Sequence, residues 1–87
     1  MKGSAMRIFY FGRLRQVFGL GEETLVPPAD ATVAGLLAQL RQRGGVWAEE
    51  LADGRAFRVA VDQAVVPPDA PLQAGSEVAI FPPVTGG

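Results

Sequence analysis

TVAGLLAQLRQRGG, Thr32 to Gly45, carries Val33, Leu36, Leu37 and Leu40 at i, i+3, i+4 and i+7. That spacing draws one apolar stripe along one side of an α-helix. The ends agree with the period. Thr32 is a candidate N-cap, with Asp30 as its rival, because a short side-chain oxygen can accept from the first free N–H groups. Arg41 and Arg43 put positive charge in the last turn, where the helix dipole favours it, and Gly44 can take the left-handed conformation that closes a helix. Such a stripe has to lie on something, and the flanking sequence reads as sheet.

Upstream, RIFYF, Arg7 to Phe11, has the aromatic and apolar composition of a strand. Gly12 breaks it. Leu14, Val17 and Phe18 then predict one or two helical turns closed by Gly19, and EETLV, Glu22 to Val26, predicts a second strand that Pro27 and Pro28 end. Downstream, Val46 to Leu51 predicts a short helical turn carrying Trp47, whose core-type neighbours make it a core plug rather than a ligand platform. AFRVAV alternates, with Phe57, Val59 and Val61 on one face and Arg58 and Ala60 on the other. Ala64 to Val66 is a short strand cut by Pro67 and Pro68, and Leu72 plugs the core from an irregular stretch. Gly75 and Ser76 turn into EVAIF, where Val78 and Ile80 face in while Glu77, Ala79 and Phe81 face out.

One helix against a sheet is an α+β layout. If the first and last strands pair in parallel at the centre, the order of elements gives a β-grasp, ubiquitin-like fold. It would have a mixed sheet of four to five strands packed on one main helix. Residues 6–87 are expected to form a single domain with a flexible C-terminal tail over 82–87, and residues 1–5 a leader or extension outside it.

The 87 residues suit one small domain that buries about 60–65% of its unfolded surface. With 48% apolar and 20% charged residues the chain reads as globular, and a net charge of −1 without a basic run argues against nucleic acid. No stretch reaches the ~18 apolar residues of a membrane span, and the start lacks a signal-peptide core, which points to the cytoplasm. The chain has no Cys and no His. That removes disulfides, thiolate nucleophiles, imidazole bases and ordinary zinc sites, and no metal site is expected. Glu22-Glu23 and Glu49-Glu50 are adjacent pairs whose side chains diverge, so they read as solvated surface rather than an acid/base dyad. Asp62 stands alone after a strand and reads as a turn cap.

What remains is the end, FPPVTGG, Phe81 to Gly87. Pro82 and Pro83 cannot continue a ladder, so the chain leaves the sheet. Gly86 and Gly87 lack a β-carbon, so a partner can close around the backbone in a narrow channel. The α-carboxylate of Gly87 then projects as the reactive group. Activated as an acyl adenylate, a carboxylate can take sulfur or couple to an amine.

DAPLQAGSEVAIFPPVTGG at Asp69–Gly87, with YFGRLRQVFG at Tyr10–Gly19 and VAVDQ at Val59–Gln63, resembles the MoaD family of ubiquitin-like sulfur carriers. That family is the small subunit of molybdopterin synthase. The family often has Asn where Asp62 stands. The resemblance implies that a MoeB-type enzyme adenylates Gly87 with ATP and magnesium, none of it bound by this chain. A sulfurtransferase system then converts Gly87 to a thiocarboxylate. It implies that Pro83, Val84, Thr85 and Gly86 insert into a MoaE-type large subunit, which supplies the catalytic side chains. There the sulfur passes to cyclic pyranopterin monophosphate, in a heterotetramer of two small and two large subunits. The family's docking patch maps onto Phe11, Val65 and Phe81. Alternatives with the same fold and ending are carriers for thiazole or tRNA thiolation, and a protein modifier joined to lysines.

Overall fold

The aromatic run at the start of the chain forms strand β1, Met6–Tyr10, in which Met6, Ile8 and Tyr10 are buried and Arg7 and Phe9 point the other way. The computed structural model describes residues 5–82. The remaining elements are α1 (Gly12–Phe18), β2 (Glu22–Leu25), α2 (Val33–Arg41), α3 (Val46–Glu50), β3 (Arg58–Val61), β4 (Ala64–Val65) and β5 (Glu77–Phe81). The strands make one five-stranded sheet in the order β2-β1-β5-β3-β4. β1 and β5 pair in parallel at the centre, and the other neighbours pair antiparallel. This is the β-grasp arrangement that the order of elements predicts.

The expected stripe of α2 is the core. Leu36 and Leu40 are fully buried, with Val33 and Leu37 nearly so, and they join Ile8, Tyr10, Val78 and Ile80 from the two central strands. Thr32 is the N-cap: its Oγ1 accepts from the Gly35 N–H at 3.1 Å. Asp30 instead accepts from the Thr32 N–H. The other free donors of the first turn are met from far along the chain. The Val33 and Ala34 N–H groups donate to the Ala70 and Pro68 carbonyls, and the Leu72 N–H returns to the Ala31 carbonyl at 2.7 Å. The stretch between β4 and β5, irregular by sequence, is therefore the cap of the main helix and the anchor that buries Leu72.

Several boundaries and burials differ from expectation. β1 begins and ends one residue earlier than its sequence suggests, because the fully buried Met6 pairs with Leu25 and Phe11 becomes the N-cap of α1. β2 and β4 each stop one residue short, at Leu25 and Val65. Arg43 lies past α2 and turns back to Glu23, with its guanidinium 4.4 Å over the Trp47 ring. Trp47 is the expected plug, stacked on Phe18 at 3.8 Å with Tyr10 edge-on to both rings. Ala60 is buried although it faces away from the helices.

The acidic pairs are not uniformly solvated. Glu22 and Glu49 are exposed, but Glu50 is buried and accepts from Arg13 at 2.7 Å and from Arg55 at 3.4 Å. Glu23 accepts from Arg43 through two bonds of 2.9 Å and from the buried Tyr10 hydroxyl. In each pair one carboxylate ties distant elements together, which adjacent positions in sequence cannot reveal. Burial, then the Glu23 hydrogen bond, pushes the Tyr10 phenol far above its ordinary range, so it stays a donor. Burial pushes Glu23 up, but its hydrogen bonds from Arg43 and Tyr10 outweigh that and hold it below the usual carboxylate range. The Arg13 hydrogen bond lowers Glu50 in the same sense, against burial.

Both carboxyls thus titrate lower in the folded than in the unfolded chain. Their stabilisation is complete above the unfolded value of about 4.3 and is lost as pH falls through the folded values. Thermal melts should hold a steady midpoint from neutral pH to about 5 and decline at lower pH. The double variant Glu23→Gln, Glu50→Gln should start lower at pH 7 and decline less; an equally steep decline would show that other groups carry the acid lability.

Candidate functional site

Period-two alternation gives the sheet a second face, away from the helices, and strand register decides what meets there. Phe9 pairs with Glu22 on one side and Ala79 on the other; Ala79 pairs with Ala60, and Ala60 with Val65. One row of side chains therefore runs across all five strands, apolar from Phe9 to Val65. The next row towards the exit of β5 holds Phe81 opposite Arg58. Phe11 stands beside Phe81, because Tyr10 pairs with Ile80 and the Phe11 N–H donates to the Ile80 carbonyl at 3.1 Å. The rings of Phe9 and Phe11 lie nearly parallel, 6.4 Å apart.

Phe11 is 47% exposed and Val65 63% exposed, while Phe81 is half-buried between its neighbours. A shallow depression of about 270 Å3 opens between Phe9, Phe11, Gln63, Glu77 and Ala79. Its polar edge is paired: Arg7 contacts Glu22 at 3.0 Å and Glu77 at 3.7 Å, and its guanidinium lies 5.0 Å over the Phe9 ring. A contiguous apolar surface inside a charged rim is the anatomy of a protein-docking patch.

The structure brings Phe11 and Phe81 together and sets Val65 on the same face, on edge strand β4. Gly87, Gly86, Thr85, Val84 and Pro83 lie outside the described residues. Phe9 and Ala79 are outer-face residues that sequence reading missed, and the buried Ala60 joins them in one row to Val65. Strand parity marks each as outward, but only the register puts them in one row. Asp62 lies in a turn, where it and Gln63 form the two-residue hairpin between β3 and β4 with positive φ, 50° and 75°, but the side-chain bond it makes is to another strand rather than a cap of that turn. The Asp62 carboxylate accepts from the Glu77 N–H at 3.0 Å, fixing the hairpin to the start of β5.

Among the described residues no group of three or more acidic, His or Cys side chains could hold a metal, and no helix is long and apolar enough to cross a membrane. Among the described residues the outer sheet face thus carries an apolar row beside the point where β5 ends.

The family model described as "ThiS family" matches residues 8–87. The molybdopterin synthase sulfur carrier subunit of Escherichia coli is 38% identical over 94% of this chain and 99% of its own. Among solved structures, small archaeal modifier protein 1 of Haloferax volcanii is 28% identical with a TM-score of 0.68, covering 94% of this chain and all of its own. A complex of subunits 1 and 2 of molybdopterin-converting factor from Helicobacter pylori contains a chain of TM-score 0.68 and 20% identity, covering 95% of this chain and 99% of its own, which supports the fold alone. With a family match over nearly its whole length and a relative of this identity, the chain belongs to the ThiS family, among the MoaD-type ubiquitin-like sulfur carriers.

Proposed function

We propose that this chain is the sulfur-carrier subunit of a molybdopterin synthase and acts through the carboxylate of Gly87. The observation that carries the reading is the docking face: an apolar row from Phe9 to Val65 lies beside the exit of the strand that leads into PPVTGG. The Gly87 carboxylate attacks ATP on a MoeB-type enzyme, with magnesium, and pyrophosphate leaves. Sulfide-level sulfur (HS−) supplied by a sulfurtransferase system then attacks the acyl adenylate and AMP leaves, so that Gly87 ends as a thiocarboxylate. Phe11, Val65 and Phe81 dock on a MoaE-type large subunit, and residues 83–86 thread its channel. The sulfur bonds to cyclic pyranopterin monophosphate, and water cleaves its bond to the Gly87 carbonyl carbon, which regenerates the carboxylate. Catalytic side chains belong to the large subunit, in keeping with a carrier that has no His and no Cys. Two carriers and two large subunits form the working assembly, in the cytoplasm.

Intact-mass analysis tests this reading. Incubated with the activating enzyme, ATP and a sulfur source, the chain should gain the mass difference between sulfur and oxygen at Gly87. It should then convert the pterin precursor when the large subunit is added. A second reading, a protein modifier joined to lysine amines through Gly87, draws on the likeness to the archaeal modifier. Conjugates on a blot, without pterin conversion, would favour it.

Phe11→Asp tests the docking face more cleanly than a change at Phe81, since Phe11 is the more exposed ring. The variant should melt close to wild type yet lose at least about 2 kcal/mol of large-subunit affinity, some 30-fold. A folded variant that binds unchanged would remove Phe11 from the interface.

A further inference from the structure

At the edge of the sheet away from β2, the main helix and the last two strands of the row do not close on each other. They leave a groove of about 380 Å3 between α2 and the strands β3 and β4. Val33 and Leu37 line it from the helix, and Val59 and Val66 from the sheet side, so its floor is apolar. Its rim is cationic. Arg41, Arg55 and Arg58 border it against a single carboxylate, Asp53. The whole chain carries a net charge of −1, so three guanidiniums round one apolar groove are a local reversal of sign.

The described residues neutralise that charge only in part. Asp53 is fully exposed and comes no nearer than 4.0 Å to Arg41. Arg55 contacts Glu50 at 3.4 Å, but Arg13 already holds that carboxylate at 2.7 Å. Arg58 is exposed and makes no ion pair among the described residues. Arg7, across the outer face on β1, is the contrast, since Glu22 and Glu77 both contact it.

The groove is continuous with the docking face. Arg58 stands opposite Phe81 and Val65 ends the apolar row, yet both also border the groove round the β4 edge. A partner seated on the outer face therefore meets the groove at Arg58 and Val65. Guanidiniums above an apolar floor suit carboxylates carried beside an apolar side chain, because the planar fork of arginine matches a pair of carboxylate oxygens.

We propose that this groove extends the large-subunit interface and receives an acidic segment of that subunit, with an apolar side chain on the floor and carboxylates at Arg41, Arg55 and Arg58. The proposal rests on the sulfur-carrier reading, which supplies the large subunit; the groove adds the chemistry that subunit has to present.

The test measures binding of the full-length chain to its MoaE-type large subunit at low and high salt. Arg58→Glu reverses the charge shared by face and groove, and Arg58→Gln removes it. Ala34 is exposed on α2 at the border of the groove. Ala34→Glu brings a like charge to the proposed carboxylates, and Ala34→Gln brings the same shape without the charge. Arg15→Gln, on α1 and outside the groove, changes the net charge as much as Arg58→Gln and serves as the control. All five positions are exposed, so the variants should melt as wild type does. Arg58→Glu and Ala34→Glu should each bind about 10-fold more weakly at low salt, Arg58→Gln less so, and Ala34→Gln and Arg15→Gln as wild type does. At about 1 M salt, where the screening length is only ~3 Å, the differences should shrink. Because the chain has no Cys, Ala34→Cys can carry a benzophenone maleimide at that position alone. Irradiated in the complex, it should join to a large-subunit peptide rich in Asp and Glu.

Unchanged affinity in folded Arg58→Glu and Ala34→Glu would overturn the proposal. So would equal losses in Ala34→Glu and Ala34→Gln, because shape and not charge would then be read, or crosslinks to a segment without acidic residues. A wild-type chain that does not bind the large subunit at any salt would instead defeat the sulfur-carrier reading, and the groove's role with it.

Discussion

Deleting Gly87 is expected to abolish sulfur transfer while leaving the melting transition where it was. On the proposed mechanism the Gly87 carboxylate has to reach a fixed point in the activating enzyme and another in the large subunit. Loss of one residue shortens the reach by up to about 3.5 Å, and a ~1 Å misplacement already costs ~10²-fold in rate. Adding a residue beyond Gly87 should be as damaging, since the former carboxylate becomes an amide and the new one overshoots. Gly86→Val should fail for another reason, a branched side chain in a channel shaped for bare backbone. The core formed by the described residues ends at Ile80, so none of these changes should move the melting point by more than the small shifts of surface substitutions. Pyrophosphate exchange with the activating enzyme reports adenylation. Pterin conversion by chemically thiocarboxylated chains isolates the later transfer. A Gly87-deleted chain with full transfer activity would show that the terminus is not the working part.

Leu36→Ala is expected to produce a large loss of stability, greater than truncation at less buried positions of the helices. Leu36 is fully buried, at the meeting of α2 with the central strands. Truncation should cost about 2–5 kcal/mol, because the rigid sheet beneath cannot fully collapse into the cavity. In a domain that is stable by only ~5–15 kcal/mol this is a large share. Each kcal/mol lowers the midpoint by roughly 4–8 °C at this size, so the drop should be at least about 8 °C. Leu37→Ala, at a site 7% exposed, should fall somewhat less. Val46→Ala, at 40% exposure in α3, should hardly register. Urea or thermal melts of the three would settle the order. A Leu36 variant as stable as the Val46 variant would contradict the packing of α2 on β1 and β5.

Much of this protein is local, and the local part is legible in the chain. The 3.6-residue period of Val33 to Leu40 determines the helix and its buried side, and Thr32 determines where it starts, because capping acts within three residues. Alternation in EVAIF determines that Val78 and Ile80 face the core. The proposal for the terminus rests on residue types alone: a sequence without Cys or His has no thiolate or imidazole, and Gly86 and Gly87 carry no β-carbon. Tertiary structure alone decided the rest, and each case joins residues far apart in sequence. Parity says that Phe9, Ala60, Val65 and Ala79 face outward, but which strands are neighbours and in what register made them one surface. Glu23 and Glu50 look like half of two solvated pairs until Arg43, Tyr10 and Arg13 arrive from other elements and draw them in. The first N–H groups of α2 find carbonyls at Pro68 and Ala70, across a stretch with no period to read. Propensity, period and capping act over a few residues and are carried by the sequence itself, whereas register and ion pairing depend on which distant segments the collapsed chain sets against each other.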